Sequence, residues 1–374
     1  MRKRRALLVC AIACALLSAC AGHPKLQQVD VASPILSRFQ GHPVTMHAAV
    51  LLPGGYSASS SQKYPVVYWV PAFGGSYHVS RDKIRTWQRA MQASGQDFIV
   101  VFLDAAVPSG HSEFADSANN GPWARALTTE LIPDIERRFH ALATPQARLL
   151  AGHSSGGWSV LWLQVTYPTY FGGAWAIAPD PVDFRDFIGP DLTAKGPSNF
   201  YRDSNGREYG FVRLRGRDAT TLRRYVTRED SNGPGNQIAS FDAVFSPRGA
   251  DGKPEQLFDH RTGAIHPAVE RYWVNHYDIA RIVASRWPAL AVPLRGKLHI
   301  FVGSADTFHL ERPVRLLATQ LAALHSEAEV RIAPGYDHFT IFNYDGGLIS
   351  HIVAEMTGSL PPAAKGSNVN PHAK

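Results

Sequence analysis

Short, fully apolar runs recur along this chain, and each leads through a loop of small residues into a stretch with helical spacing. That alternation constrains the fold more than any other feature. "KYPVVYWVP" contains an uninterrupted apolar run, Val66 to Val70, and "DFIVVFLD" (97–104) and "ARLLA" repeat the pattern. "HPVTMHAAVLL" precedes them as a first strand, while "GGAWAIAP", "KLHIFVGSAD" and "EVRIAP" supply a fifth, a sixth and a last. Runs without a polar face suit strands covered on both sides, as in parallel sheets. Helical spacing appears in "NNGPWARALTTELIPDIERRF", where Pro122 suits a first turn, in "PVRLLATQLAALHSE", and in a closing helix, "FTIFNYDGGLISHIVAEM". Strands alternating with helices predict an α/β fold with a doubly wound, mostly parallel sheet.

The rhythm breaks once. Residues 180–292 lie between the fifth and sixth strands and include seven arginines within the 23 residues from Arg202 to Arg224. Connections in compact domains run to about 4–6 residues, so this segment is an inserted cap or subdomain. Part of it, "FDAVFSPRGADGKPEQLFDHRTGAIHP", resembles hairpins with polar turns. Residues 20–34 read as a tether, 35–356 as one domain carrying the insertion, and 357–374 as a polar, disordered tail.

The first residues address the chain. "MRKRR" is a cationic start and "ALLVCAIACALL" an apolar stretch of 12 residues, too short for a membrane helix and suited to a signal peptide over 1–19. It ends in "LSAC", which resembles the bacterial lipobox; Cys20 would then carry the lipid and become the mature N-terminus. An ordinary secretory signal with a chance cysteine is the plainer alternative. Ala21, rather than Asp, follows the cysteine, and by resemblance to Gram-negative sorting this favours the outer membrane within the cell envelope. Cleavage would remove Cys10 and Cys14 and acylate Cys20, leaving no thiol for a disulfide, a metal or catalysis. Four of the 38 basic residues would leave with the signal, so 34 would face 31 acidic ones. That near balance is no electrostatic footprint for nucleic acid.

The turn in "RLLAGHSSGGWSVLW" (148–162) carries the chemistry. Gly152-His153-Ser154-Ser155-Gly156 fits G-x-S-x-G where an apolar run hands over to a helix. A serine at such a corner sits in strained backbone, its neighbours must be small, and the following helix points its positive end at developing negative charge. The plain alternative for Ser154 is a helix N-cap. A nucleophilic serine needs a histidine base and a carboxylate to orient it. Of sixteen histidines, His338 in "APGYDHF" is placed best, in a loop between the last strand and the closing helix; His153 and His309 are the rivals. Asp306 follows an apolar strand at its carboxyl end, where catalytic groups collect in open α/β sheets. Glu311 and Asp337 compete with it, Asp337 reading more simply as a turn former. Two backbone N–H groups would form an oxyanion hole, one from Ser155 and one from Phe73 in "WVPAFGGS", with Gly74 as runner-up.

"KYPVVYWVPAFGGS", "ANNGPWARALTTELIPDIERRF", "LLAGHSSGGWSVLW", "GSAD" and "PGYDHF" follow the order of the esterase-D-like branch of α/β-hydrolases, which this chain resembles. That branch includes feruloyl and acetyl esterases, S-formylglutathione hydrolase, enterochelin-type esterases and mycolyltransferases. The resemblance covers residues 45–180 and 293–355 and implies an α/β-hydrolase fold and ester chemistry. Pro71-Ala72 stands where many members have His-Gly. Trp123, Tyr77 and Trp158 are candidates to stack on a sugar or phenolic ring, or simply to pack. The cap arginines offer planar forks for carboxylate or phosphate, or form a salt-bridged surface. No metal-ligand spacing, phosphate loop or dinucleotide fingerprint appears, so no cofactor and no metal are expected. The leading expectation is a serine esterase acting outside the cytoplasm on a small or polymer-borne ester. Acyl transfer to a glycan or lipid is the alternative, and a binding lipoprotein on a retired fold the third reading.

Overall fold

Eight strands form the central sheet of the computed structural model, which describes residues 26–365 apart from 197 and 234. They are β1 (Leu26–Ala32), β2 (Thr45–Leu51), β3 (Val66–Val70), β4 (Ile99–Leu103), β5 (Arg148–His153), β6 (Gly173–Ile177), β7 (Leu298–Gly303) and β8 (Glu329–Ala333). Their spatial order is β1-β2-β4-β3-β5-β6-β7-β8. From β4 onward every neighbour is parallel; β1 and β2 join antiparallel at one edge. The mostly parallel sheet is that of an α/β-hydrolase.

The runs without a polar face form the middle of this sheet, and their alternate residues feed two cores. Val66, Tyr68 and Val70 of β3 enter the first core, while Val67 and Trp69 enter the second. Helix α1 (Pro34–Gln40) and a segmented helix over residues 123–138 lie on the first face. Helix α2 (Arg81–Ser94) covers the second face; of its 14 residues only Trp87, Ala90 and Met91 are buried, and it was not among the expected helices. Helix α3 runs as Trp123–Ala126, a π turn Leu127–Leu131, and Ile132–Arg138. Pro133 lies just past the π turn; it lacks the N–H that would bond back to Thr129, which accounts for the widened turn. Helix α4 (Ser155–Thr166) is buried almost throughout.

The insertion holds a hairpin (Gly210–Leu214 with Arg217–Thr221) and helices α5 (Leu222–Asn232), α6 (Gln237–Phe245), α7 (Pro267–His276) and α8 (Ile279–Leu290). After β7 come α9 (Glu311–Ala323), β8 and α10 (Leu348–Ser359).

Four expectations are corrected. The folded domain begins earlier than a tether over 20–34 would allow, because Leu26–Ala32 pairs with β2 along its whole length and buries Val29 and Val31. "FDAVF" ends helix α6 instead of starting a hairpin; antiparallel bridges appear only beyond it, Arg248 with Pro254 and Phe258 with Ile265. The closing helix is broken: a 3₁₀ stretch, Thr340–Gly346, meets α10 across Asp345, Gly346 and Gly347, all at positive φ. The tail does not begin at 357, since α10 continues to Ser359 and Leu360 and Ala364 pack into the second core. Cys20 and residues 366–374 lie outside the described residues.

Candidate active site

Ser154 stands between β5 and α4 with φ 58° and ψ −121°. Positive φ at a residue with a side chain costs on the order of 1–3 kcal/mol and persists only where the surroundings enforce it. Here Ser154 N–H donates to the Ile177 carbonyl at 2.9 Å, and the Ser154 carbonyl accepts from Trp158 N–H at 3.0 Å and Asp180 N–H at 3.2 Å. The flanking glycines are required by contact. A Cβ on Gly152 would lie 2.2 Å from the Gly156 carbonyl oxygen, and one on Gly156 would lie 2.2 Å from that of Val70. The exit of β3 therefore abuts the first turn of α4.

Asp306 follows β7 and is fully buried. Its Oδ1 accepts from Phe308 N–H at 2.8 Å and Leu310 N–H at 3.3 Å, and its Oδ2 accepts from His338 Nδ1 at 2.9 Å. That bond leaves Nε2 of His338 with the lone pair. Phe308 stands edge-on to the His338 ring, with centroids 4.9 Å apart. The rival groups are occupied elsewhere. His153 places Nε2 3.0 Å from the His338 carbonyl, and burial pushes its pKa well below the ordinary value, with His338 adding to the effect. His309 bonds Asp218 at 2.8 Å and Glu311 pairs with Arg213 at 2.7 Å. Asp337 accepts from Phe339 and Thr340 N–H at 2.9 and 2.7 Å, as a turn former does.

One site residue was not anticipated. Ser154 Oγ donates to Asp180 Oδ1 at 3.3 Å, and among the described residues no hydrogen bond joins it to His338. Asp180 Oδ2 accepts from Ser155 Oγ at 2.6 Å and from Gln237 Nε2, of the cap, at 3.2 Å. Asp180 follows β6 directly, so the carboxyl-end argument that selected Asp306 applied to it equally. Burial pushes its pKa up to about 7, and Glu113 adds to this, against Ser155, His338 and His111.

A carboxyl raised in the folded state keeps its proton where the unfolded chain has lost it. Its contribution to stability therefore falls as pH rises from about 4 to about 7. Asp180→Asn removes that loss, so its Tm relative to wild type is expected to be lowest near pH 4 and to climb until about pH 7. Thermal unfolding of both proteins from pH 4 to 8 measures this, and a difference independent of pH would refute the raised carboxyl.

The loop Ala72–Gly75 contains Phe73 and Gly74. Gly74 has φ 74°, Gly75 N–H donates to the Ala72 carbonyl at 2.9 Å, and the Pro71 carbonyl lies 3.1 Å from His111 Nε2. Two cavities flank this region. A chamber of about 50 Å³ lies at Ser154 and Asp180, walled by Phe308 and by Tyr225, Gln237 and Phe241 of the cap. A cavity of about 680 Å³ opens on the other side, between the Phe73–Gly74 turn, α2 and the Phe339 segment.

The sequence profile of the family described as "Putative esterase" matches residues 42–341. The chain belongs to that family. It is a carboxylic ester hydrolase by family, with an α/β-hydrolase fold. A ferulic acid esterase is similar in structure, with a TM-score of 0.60 and 14% identity, over 90% of this chain and 99% of that one. FphF, a fluorophosphonate-binding serine hydrolase of Staphylococcus aureus, follows with a TM-score of 0.52 and 12% identity, over 90% and 99%. At such identities the likeness speaks for the fold alone. No curated protein matches the sequence.

Other side chains singled out in this esterase's sequence have structural partners. Trp158 stacks with Trp162 in the core, Trp123 donates Nε1–H to the Asn120 carbonyl, and Tyr77 stacks on His47; none of the three lines either cavity. Arg213 and Arg223 pair with Glu311 and Glu208 at 2.7 and 3.8 Å. Among the described residues, His299, Glu329 and Glu355 gather ligand-type atoms within 4.8 Å of one another. Arg331 already pairs with both carboxylates, at 2.8 and 2.7 Å.

Proposed function

We propose that this esterase works as a serine hydrolase through Ser154, His338 and Asp306. The observation that carries the reading is Ser154 in enforced, strained backbone at the start of α4 together with the buried Asp306–His338 pair. Ser154 leaves its bond to Asp180, passes its proton to Nε2 of His338 and attacks the ester carbonyl. Asp306 holds the imidazole in the required tautomer and stabilises the imidazolium. Backbone N–H groups of Ser155 and Phe73 receive the oxyanion, assisted by the positive end of α4. The alkoxide departs with the proton from His338. Water, activated by the same imidazole, then releases the acid from the acyl-enzyme.

Labelling by a fluorophosphonate and turnover of p-nitrophenyl acetate test this directly; a protein inert to both would sink it. The structural neighbours lend hydroxycinnamate esters some weight as substrates. The tight chamber at Ser154 favours a second outcome, transfer of the acyl group to an alcohol, because enclosure by the cap limits water. Glycerol ester formed at the expense of free acid, with glycerol present, would identify transfer.

The placement proposed for the enzyme is the cell envelope, anchored by lipid at Cys20 to the outer membrane, on its periplasmic or its surface side. Cys20→Ser is expected to move the protein from the detergent phase to the aqueous phase in Triton X-114 partitioning. Retention in the detergent phase would rule out the anchor.

A further inference from the structure

Lys83 occupies the first turn of α2, where the positive end of the helix dipole disfavours a cation. Its ammonium lies 4.5 Å from the centre of the Trp69 ring and 5.9 Å from that of Phe102. Among the described residues the ammonium has no ion pair and no hydrogen bond; the backbone N–H of Lys83 donates to Ser80 Oγ at 3.2 Å. The neighbouring carboxylate, Asp82, is solvent-exposed and lies 3.7 Å from Arg85. Burial pushes the Lys83 ammonium down to about 8, so it keeps its charge at neutral pH. The Trp69 face offsets part of the cost of a desolvated cation at this end of a helix, and a negative group would offset more.

The 680 Å³ cavity is where that partner fits. Lys83 lines it together with Trp69, Trp87 and Phe339, and among the described residues no aspartate, glutamate or arginine does. The indole N–H groups of Trp69 and Trp87 are also buried without an acceptor. The wall is thus largely aromatic, with the Lys83 ammonium set in it. It continues to the proposed reaction centre, since Phe73 and Gly74 line it and so does His153, whose ring meets the His338 carbonyl. On the other side, the chamber at Ser154 is lined by the buried Asp180. Among the described residues, a negative group there meets a carboxyl and no lysine or arginine, whereas here it meets a cation.

We propose that this cavity receives the carboxylate end of the substrate on Lys83, with an apolar or aromatic body against Trp69, Trp87 and Phe339, so that the enzyme selects anionic esters. One cation, rather than a cluster, suits a monoanion. This rests on the serine hydrolase reading for its link to turnover, but not for binding itself.

The test compares p-nitrophenyl hemisuccinate, charged on the acyl side, and 4-acetoxybenzoate, charged on the alcohol side, with neutral p-nitrophenyl butyrate and phenyl acetate. In Lys83→Met the ratio of kcat/KM for the preferred anionic ester to its neutral counterpart is expected to fall about tenfold or more, the scale of one hydrogen bond to a charged group. Lys83→Arg should restore most of the ratio. Unchanged ratios for both ester pairs would make Lys83 a structural cation and overturn the proposal. Should Lys83→Met fail to fold, inhibition of the wild type by benzoate against benzamide decides, and equal inhibition overturns it. If no ester is turned over, the serine hydrolase reading fails instead. Calorimetric titration with benzoate then still tests the site: heat in the wild type that Lys83→Met loses supports it, and equal heat or none overturns it.

Discussion

Ser154→Ala is expected to lower kcat for a short-chain p-nitrophenyl ester by roughly 10⁶ and to abolish fluorophosphonate labelling. The effect is large because no neighbour can replace the hydroxyl. Ser155 is next in sequence, but its Oγ donates to Asp180 at 2.6 Å and its residue lies inside α4. Folding should survive, since Ser154 is held by three backbone hydrogen bonds that alanine keeps. A variant that retains turnover within tenfold of wild type, or that is still labelled, would place the nucleophile elsewhere.

Asp306→Asn should cost about 10⁴ in kcat while leaving binding of substrate nearly intact. Asp306 accepts from two backbone N–H groups with Oδ1 and from His338 with Oδ2. An amide can keep the first contacts only by turning its NH₂ toward His338, which then must present Nδ1 as an acceptor. The proton moves to Nε2, and the imidazole can no longer accept from Ser154. Rates and KM measured for the variant separate this from general disruption. A loss below tenfold would transfer the orienting role to another carboxylate, with Asp180 the first to examine.

Much of the fold was legible because the middle of the sheet is built from residues buried on both faces. Val66–Val70 and Ile99–Leu103 leave a continuous apolar signature that no surface element shares. Leu26–Ala32 does not: it is an edge strand whose burial is confined to Val29 and Val31, too little to distinguish it from a tether. The broken closing helix was written in Asp345-Gly346-Gly347, but helical spacing on either side masked the interruption. At the site, Asp306 and His338 could be found from chain order and strand ends. Asp180 meets the same test at the end of β6, but the same chain order also fits Asp306, and only the folded contacts show which carboxyl reaches His338 and which reaches Ser154. The cap contacts at Ser154 come from Tyr225, Gln237 and Phe241. Nothing local marks those residues, because only the folding of a long insertion back over the sheet brings them there.

Gln237 and Phe241 belong to one helix, one turn apart. The first bonds the carboxylate that holds Ser154, and the second walls the chamber beside it. The two cannot be displaced independently. Swinging α6 outward would enlarge the space around the nucleophile and break the Gln237 bond to Asp180 in the same movement, leaving Asp180 to Ser154 and Ser155. Room beside the nucleophile and the bonding of the carboxyl next to it are thus both tied to the position of one helix.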